Sequence, residues 1–260
     1  MDWLGESGSG DCTGRAFVAR EALLADLRTR LRAERGFAIA TLNLDHAVKL
    51  RADPAFRSAY AAHSHVTADG HPIVWLERLA GRRTERVTGA DLVVPLARLA
   101  AQEGCCVALV GSTAASLDGA AERLRREAPG LHVAARLAPK AGFDPASSGA
   151  ARLLDEIGES GARLCFLALG APKQELFAAR AAARLPHVGF ASVGAGLDFL
   201  SGQQVRAPRA LQAFALEWAW RLARDPRRLG GRYARCAAAL PGLALAARRA
   251  RPSRREGAAP

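Results

Sequence analysis

Three polar groupings in this chain have residue types and positions suited to chemistry. Asp69-Gly70 closes the brief strand expected at His65–Ala68. A carboxylate at such a strand end, with a flexible residue behind it, can act as a general base toward an incoming hydroxyl. It can equally cap the helix that begins near Pro72. Thr41-Leu-Asn-Leu-Asp-His closes an apolar stretch. Thr41 and Asn43 offer neutral donors and acceptors for a nucleotide or sugar hydroxyl, and Asn43 is as well suited to capping a helix. Gly170-Ala-Pro-Lys-Gln-Glu is the most specific of the three. Pro172 fixes the chain entering a helix, so Lys173, Gln174 and Glu175 fall in its first turn, where a polar ligand would meet them. Packing gives little reason for three large polar residues directly after a buried strand.

Two glycine turns, Gly111-Ser-Thr and Gly194-Ala-Gly, let backbone N–H groups approach a phosphate or ribose. Neither is a G-x-G-x-x-G or a P-loop, which argues against a dinucleotide enzyme or an NTPase. No D-x-D pair occurs, and His63, His65 and His71 are spaced too loosely for a metal set. The sequence therefore predicts neither a metal nor a cofactor, and any diphosphate must be neutralised by arginine. Arginine's permanent charge and bidentate fork suit that task. The supply is at the C-terminal end: Arg206, Arg209, Arg221, Arg227, Arg228 and Arg232. Residues 206–260 hold thirteen Arg, no Lys and three acids, a net +10 out of +12 for the chain. Among them stand Phe214, Trp218, Trp220, Leu222 and the apolar run Leu240–Ala247. Cationic and apolar residues at helical spacing fit an anionic membrane surface or a pyrophosphate-bearing lipid. A basic α/β protein that binds nucleic acid is the alternative, but no DNA- or RNA-binding module is recognisable.

Arg outnumbers Lys 34 to 3, so a coding bias can account for many single arginines. The five cysteines make no C-x-x-C and no paired framework, and Cys105 and Cys165 read as small core residues. No N-terminal stretch resembles a signal peptide, and none reaches the roughly 18–20 apolar residues of a spanning helix. A cytoplasmic protein, peripheral at most on the membrane, is the expectation.

The elements that must position these groups alternate. Strands, most of them apolar, are expected at Phe37–Leu42, His65–Ala68, Cys105–Val110, His132–Arg136, Leu164–Leu169 and Val188–Val193, with helices between them. That pattern predicts an α/β fold, a parallel sheet with helices on both faces. Its strand ends then collect the ligand loops, which places Asn43, Asp69, Gly111, Gln174 and Asp198 along one rim. After Gly202 the alternation stops, and two or three helices are expected, at Leu211–Arg224, at Pro226–Leu240 and in a weaker stretch beyond, with Pro226 and Pro241 as breaks. The expected division is a disordered N-terminus (1–14), a catalytic core (15–202), a basic helical appendage (203–245) and a disordered basic tail (246–260).

Seven motifs in order carry a resemblance. They are Thr41-x-Asn, Thr67-Ala-Asp-Gly-His-Pro, Arg86-Val-Thr-Gly-Ala-Asp-Leu, Leu109-Val-Gly-Ser, Gly170-Ala-Pro-Lys-Gln-Glu, Gly194-Ala-Gly-Leu-Asp-Phe and Arg206-Ala-Pro…Glu217-Trp…Arg221-Leu…Pro226-x-Arg228…Arg232-Tyr. Together they resemble the WecG/TagA/CpsF glycosyltransferases (glycosyltransferase family 26), from about Phe37 to Tyr233. The resemblance implies a Rossmann-like core and a C-terminal helical appendage that contacts the membrane and completes the site. It also implies an inverting, metal-independent transferase at the cytoplasmic membrane face. Such enzymes move a sugar, often N-acetylmannosamine or its uronic acid, from a UDP donor to a polyprenyl-diphosphate-linked acceptor, for teichoic acid, enterobacterial common antigen or exopolysaccharide. By motif match Asp69 would be the catalytic base, while Thr41, Asn43 and Gln174 would hold donor or acceptor. Arg221, Arg228 and Arg232 would reach the diphosphate. Gly70, Arg86, Gly111 and Glu175 complete the candidate substrate-binding set. This chain has Leu44 after Asn43 where many members have Pro. The donor sugar and the oligomeric state, monomer or homo-oligomer, are left open by these residues.

Overall fold

The computed structural model describes residues 17–208, 210, 211 and 214–251. The N-terminus expected to be disordered (1–14), residues 252–260 of the expected tail and Arg209 lie outside them. Six strands, β1 (Phe37–Leu42), β2 (His65–Ala68), β3 (Val107–Gly111), β4 (Val133–Leu137), β5 (Leu164–Ala168) and β6 (Gly189–Ser192), form one sheet in the order β2-β1-β6-β5-β3-β4. Every pairing is parallel. The helices in chain order are α1 (Arg20–Arg32), α2 (Leu44–Ala52), α3 (Pro54–Ala62), α4 (His71–Leu79), α5 (Gly89–Gln102) and α6 (Ala114–Glu127). They continue as α7 (Ser148–Glu159), α8 (Lys173–Arg184), α9 (Gly196–Ser201), α10 (Glu217–Arg224) and α11 (Pro226–Arg249). The expected α/β sheet with helices on both faces is the observed one.

The central strands β3 and β5 read as unbroken apolar runs because both faces are covered, whereas the edge strand β4 carries Arg136 and is only partly buried. Ile39, Val107, Leu109, Phe166 and Ala191 point into one buried cluster with Leu23, Leu27, Leu92, Leu96 and Leu117 of α1, α5 and α6. Their neighbours point the other way. Ala40 and Leu42 pack with Phe56, Tyr60, Ile73 and Leu76, and Cys165, Leu167 and Phe190 pack with Leu154 and Phe177. Gly111 is required by close approach: at φ 111° its added Cβ would lie 2.4 Å from the Ala168 carbonyl oxygen.

The C-terminal helices differ from the expected ones. Ala215 sits in the left-handed region (φ 61°), so the expected Leu211–Arg224 helix is interrupted there: Ala210 and Leu211 are helical, and α10 starts at Glu217. Pro241 does not end α11, and residues 246–249 complete that helix where a disordered tail was expected. Beyond Pro241, Leu243 and Ala247 are fully buried against Ala47, Leu50, Ile73 and Leu76 of α2 and α4. That burial offsets the roughly 3 kcal/mol a helix-interior proline costs. Leu243→Ala should lower the unfolding free energy by about 2 kcal/mol, read from urea melts. Among the described residues no helix is long and apolar enough to cross a membrane.

Candidate active site at the strand ends

Asp69 follows β2 at the C-terminal rim of the sheet, and its N–H donates to the Leu42 carbonyl at the end of β1 (2.7 Å). Gly70, next in the chain, takes φ 103°, which lets the backbone turn sharply into α4 while the Asp69 carboxyl stays at the rim. The expected alternative, Asp69 as a helix cap, is not adopted: α4 has Gly70 as its N-cap and no side-chain cap bond. Part of Asp69 remains open to solvent. Its carboxyl is nonetheless surrounded by protein, and this burial pushes its pKa up to about 6. The Gly89 N–H at the start of α5 donates to it and opposes the rise, as does the charge of Arg221, whereas Glu217 and Asp91 add to it. A carboxylate that titrates near 6 is ionised at neutral pH yet retains proton affinity, as a general base requires.

Two of these influences, Glu217 and Arg221, come from α10. The C-terminal helices therefore lie against the rim that carries Asp69. What holds them there can be followed side chain by side chain. Arg206 donates to Asp91 at 2.7 Å, and Arg86 lies 3.8 Å from the same carboxylate. Asp91 stands in the first turn of α5, fixed by the Thr88 cap. The guanidinium groups of Arg206 and Arg221 both lie over the Phe199 ring of α9, at 6.0 and 5.8 Å. Asp91 and Phe199 thus gather Arg86, Arg206 and Arg221 beside Asp69. Trp218 meets Tyr233 edge-on at 5.9 Å, which couples α10 to α11.

A second polar group sits at the ends of β1 and β5. Asn43 caps α2, its Oδ1 accepting from the His46 N–H at 3.0 Å, so its amide nitrogen is what remains for a ligand. Thr41 is buried one residue before the end of β1. Asp45 pairs with Lys49 at 2.6 Å and with Arg232 of α11 at 3.2 Å, and Lys49 also donates to the Ala171 carbonyl at 3.3 Å. In the first turn of α8, Gln174 is buried and donates through Nε2 to Glu175 Oε1 at 2.7 Å. Glu175 is fully buried, and its second oxygen, Oε2, has no hydrogen-bond partner. His46, its pKa pushed down to about 3 by burial first and by Lys49 next, is neutral and bonds Tyr60 at 2.6 Å.

The sequence-predicted set therefore divides. Asp69, Gly70, Arg86 and Arg221 share one cluster, and Thr41 and Asn43 stand on the adjoining strand end. Gln174 and Arg232 belong to the neighbouring group around α2. Arg228 is instead exposed and paired with Asp225 at 2.5 Å in the first turn of α11. Gly111 lies four strands from β2, roughly 19 Å along the sheet, where its close approach to Ala168 explains it. Asp198 is satisfied by Ser112, Ser116 and Gln204. Asp91, Phe199, Glu217 and Asp45 were missed as site residues. Glu217 had a signal, as one of the three acids in a segment of thirteen arginines.

Among the described residues no three His, Cys, Asp or Glu side chains gather as a metal set. A surface cavity of about 610 Å³ lies at the opposite edge of the sheet, beside β4. Arg136, Lys140 and Arg152 share it with Asp144 and Glu156, an excess of one positive charge.

A family model described as the Glycosyl transferase WecG/TagA/CpsF family matches residues 15–256. A protein of Bacillus spizizenii named N-acetylglucosaminyldiphosphoundecaprenol N-acetyl-beta-D-mannosaminyltransferase is 28% identical over 202 residues, covering 77% of this chain and 76% of that protein. The motifs that carry the resemblance, the parallel sheet and a matched range that reaches through α11 converge on one assignment: the chain belongs to the WecG/TagA/CpsF family and is a glycosyltransferase.

Proposed function

We propose that this enzyme moves a sugar of the N-acetylmannosamine type from a UDP donor to a polyprenyl-diphosphate-linked acceptor, with inversion and without a divalent metal. The observation that carries the reading is the approach of α10 to Asp69, which sets a base and several arginines around one rim. Asp69 takes the proton of the acceptor hydroxyl as its oxygen bonds to the anomeric carbon. The bond from that carbon to the UDP oxygen breaks on the opposite face, and the electron pair leaves with the diphosphate. Arg221, with Arg86 and Arg206 beside it, neutralises the charge that develops there. Thr41, Asn43 and Gln174 hold sugar or nucleotide hydroxyls. The relative from Bacillus spizizenii, by its name, acts on a diphosphoundecaprenol-linked sugar, which supports the acceptor class.

The test is UDP release and glycolipid formation from UDP-N-acetylmannosamine and a short-chain lipid-diphosphate N-acetylglucosamine acceptor. Turnover should be retained in excess EDTA, and its abolition would overturn the arginine-based reading.

A lipid-linked acceptor requires the cleft to meet a bilayer, and we place the protein on the inner face of the cytoplasmic membrane. Phe214 (75% exposed), Val205 (60%) and Trp218 (49%) are exposed beside arginines of the C-terminal helices. Arg224 lies 5.2 Å from the Trp220 ring in the same helix. Exposed apolar side chains rimmed by cations suit an anionic headgroup layer. Phe214→Ser combined with Trp218→Ser should cut co-flotation with anionic vesicles by about tenfold, as about 1.5 kcal/mol of lost apolar insertion would give. Unchanged flotation would move the docking surface elsewhere.

A further inference from the structure

Glu175 is hard to explain by stability. It is 0% exposed, one of its oxygens accepts from Gln174, and the other, Oε2, has no hydrogen-bond partner. The groups facing it are Asp45, His46 and Lys49 of α2 and Tyr60 of α3, with Arg232 of α11 behind His46. His46 Nδ1 stands 4.0 Å away, too far for a hydrogen bond and already joined to Tyr60. Burial pushes the Glu175 carboxyl up to about 7, with the Gln174 amide, its own backbone N–H and then Lys49 opposing the rise and Asp45 adding to it. A half-satisfied buried carboxyl weakens a fold, so its presence points to a use.

That use follows from donor and acceptor counting. The Glu175 oxygen beside Gln174 is an acceptor, so it orients the Gln174 amide with its NH₂ inward. The carbonyl oxygen of Gln174 then faces away, and it has no partner although the residue is 3% exposed. An unsatisfied buried acceptor in the first turn of α8, directly after the end of β5, is poised for a ligand donor. Resting on the sugar-transfer reading above, we propose that Glu175 is a positioning residue that locks the Gln174 amide so that its carbonyl oxygen receives a hydroxyl or acetamido N–H of a sugar substrate. Gln174 thereby selects a hydrogen-bond donor on the sugar and rejects an acceptor at that position.

Three measurements on the full chain test this. The Gln174 side-chain amide signals, assigned by their loss in Gln174→Ala, should move between about pH 5 and about pH 9 as Glu175 ionises, and stay still in Glu175→Gln. Signals indifferent to pH in the wild type would overturn the contact. In kinetics, Glu175→Gln should raise the KM of one sugar substrate about tenfold with kcat within about threefold. In a Gln174→Ala background it should add nothing, because the effect passes through that amide. An unchanged KM, or an additive effect, would overturn the proposal. In thermal melts, Glu175→Gln should gain on the wild type as pH rises. The raised carboxyl pKa means the wild type loses stability as pH climbs through about 7. An equal loss of Tm at low and high pH, with kinetics intact, would leave Glu175 a structural role only. Wild-type inactivity toward UDP-sugars would count against the transferase reading, while the amide signals and melts would still decide for or against Glu175.

Discussion

Asp69→Asn should lower kcat by about 10²-fold or more while leaving the KM for the UDP-sugar near the wild-type value. Asparagine keeps the size of the side chain and can still accept from the Gly89 N–H, so the cleft should keep its shape. What it cannot do is take a proton. The wild-type pH profile should carry the signature of the lost group. Activity should rise through about pH 6 and level above it, because the base works only when ionised. That acidic limb should be absent from the residual activity of the variant. Stability should move oppositely. A carboxyl raised from 3.8 to about 6 favours the folded state in its protonated form, and that contribution is lost as pH rises through about 6. The neutral asparagine escapes that loss, so the variant's Tm relative to the wild type should improve between about pH 4 and about pH 8. Near-normal turnover in Asp69→Asn would remove this residue from the chemistry.

The sheet was legible because its physics is local. Strands buried on both faces must be apolar at every position, and Val107–Val110 and Leu164–Leu167 are. Each is followed by a glycine, Gly111 or Gly170, with positive φ where the chain turns back. The rim followed from the sheet, since parallel strands end on one side. The C-terminal helices were read less well for the opposite reason. Pro241 and the basic composition suggest a break and a tail, and only the packing of Leu243 and Ala247 on α2 and α4 keeps the helix whole. That contact joins residues some two hundred positions apart, and no local pattern announces it. Phe199 shows the same limit. It read as part of a glycine-turn motif, yet its ring lies under two guanidinium groups supplied by later segments. Glu175 read as a ligand-facing acid because its neighbours are polar. Its burial depends on His46 and Tyr60, which α2 and α3 bring across from the β1 side. The polar residues thus fall along one rim, as parallel strand ends require, while which of them are buried and which meet the C-terminal helices needed the tertiary structure.

Arg221→Ala should lower kcat by about 10²-fold, the scale on which removal of one preorganised charge-stabilising group acts. It should also displace the pH profile, and the direction separates a site role from a docking role. Arg221 holds the Asp69 carboxyl down, so its loss should move the acidic limb upward from about 6. Glu217 from the same helix pushes the carboxyl up, so Glu217→Gln should move the limb downward. Both side chains are on α10, and a helix that merely detached would take both influences away together. Opposite displacements from two single substitutions therefore require a docked α10 at the base. Arg221→Lys gives the complementary check. It keeps the charge and so should keep the limb near its wild-type position, yet it lacks the planar fork and the favourable stacking on Phe199, leaving kcat reduced. If Arg221→Ala left kcat and the pH limb unchanged, α10 would serve only to seat the protein on its membrane, and the leaving diphosphate would have to be neutralised by Arg86 and Arg206 alone.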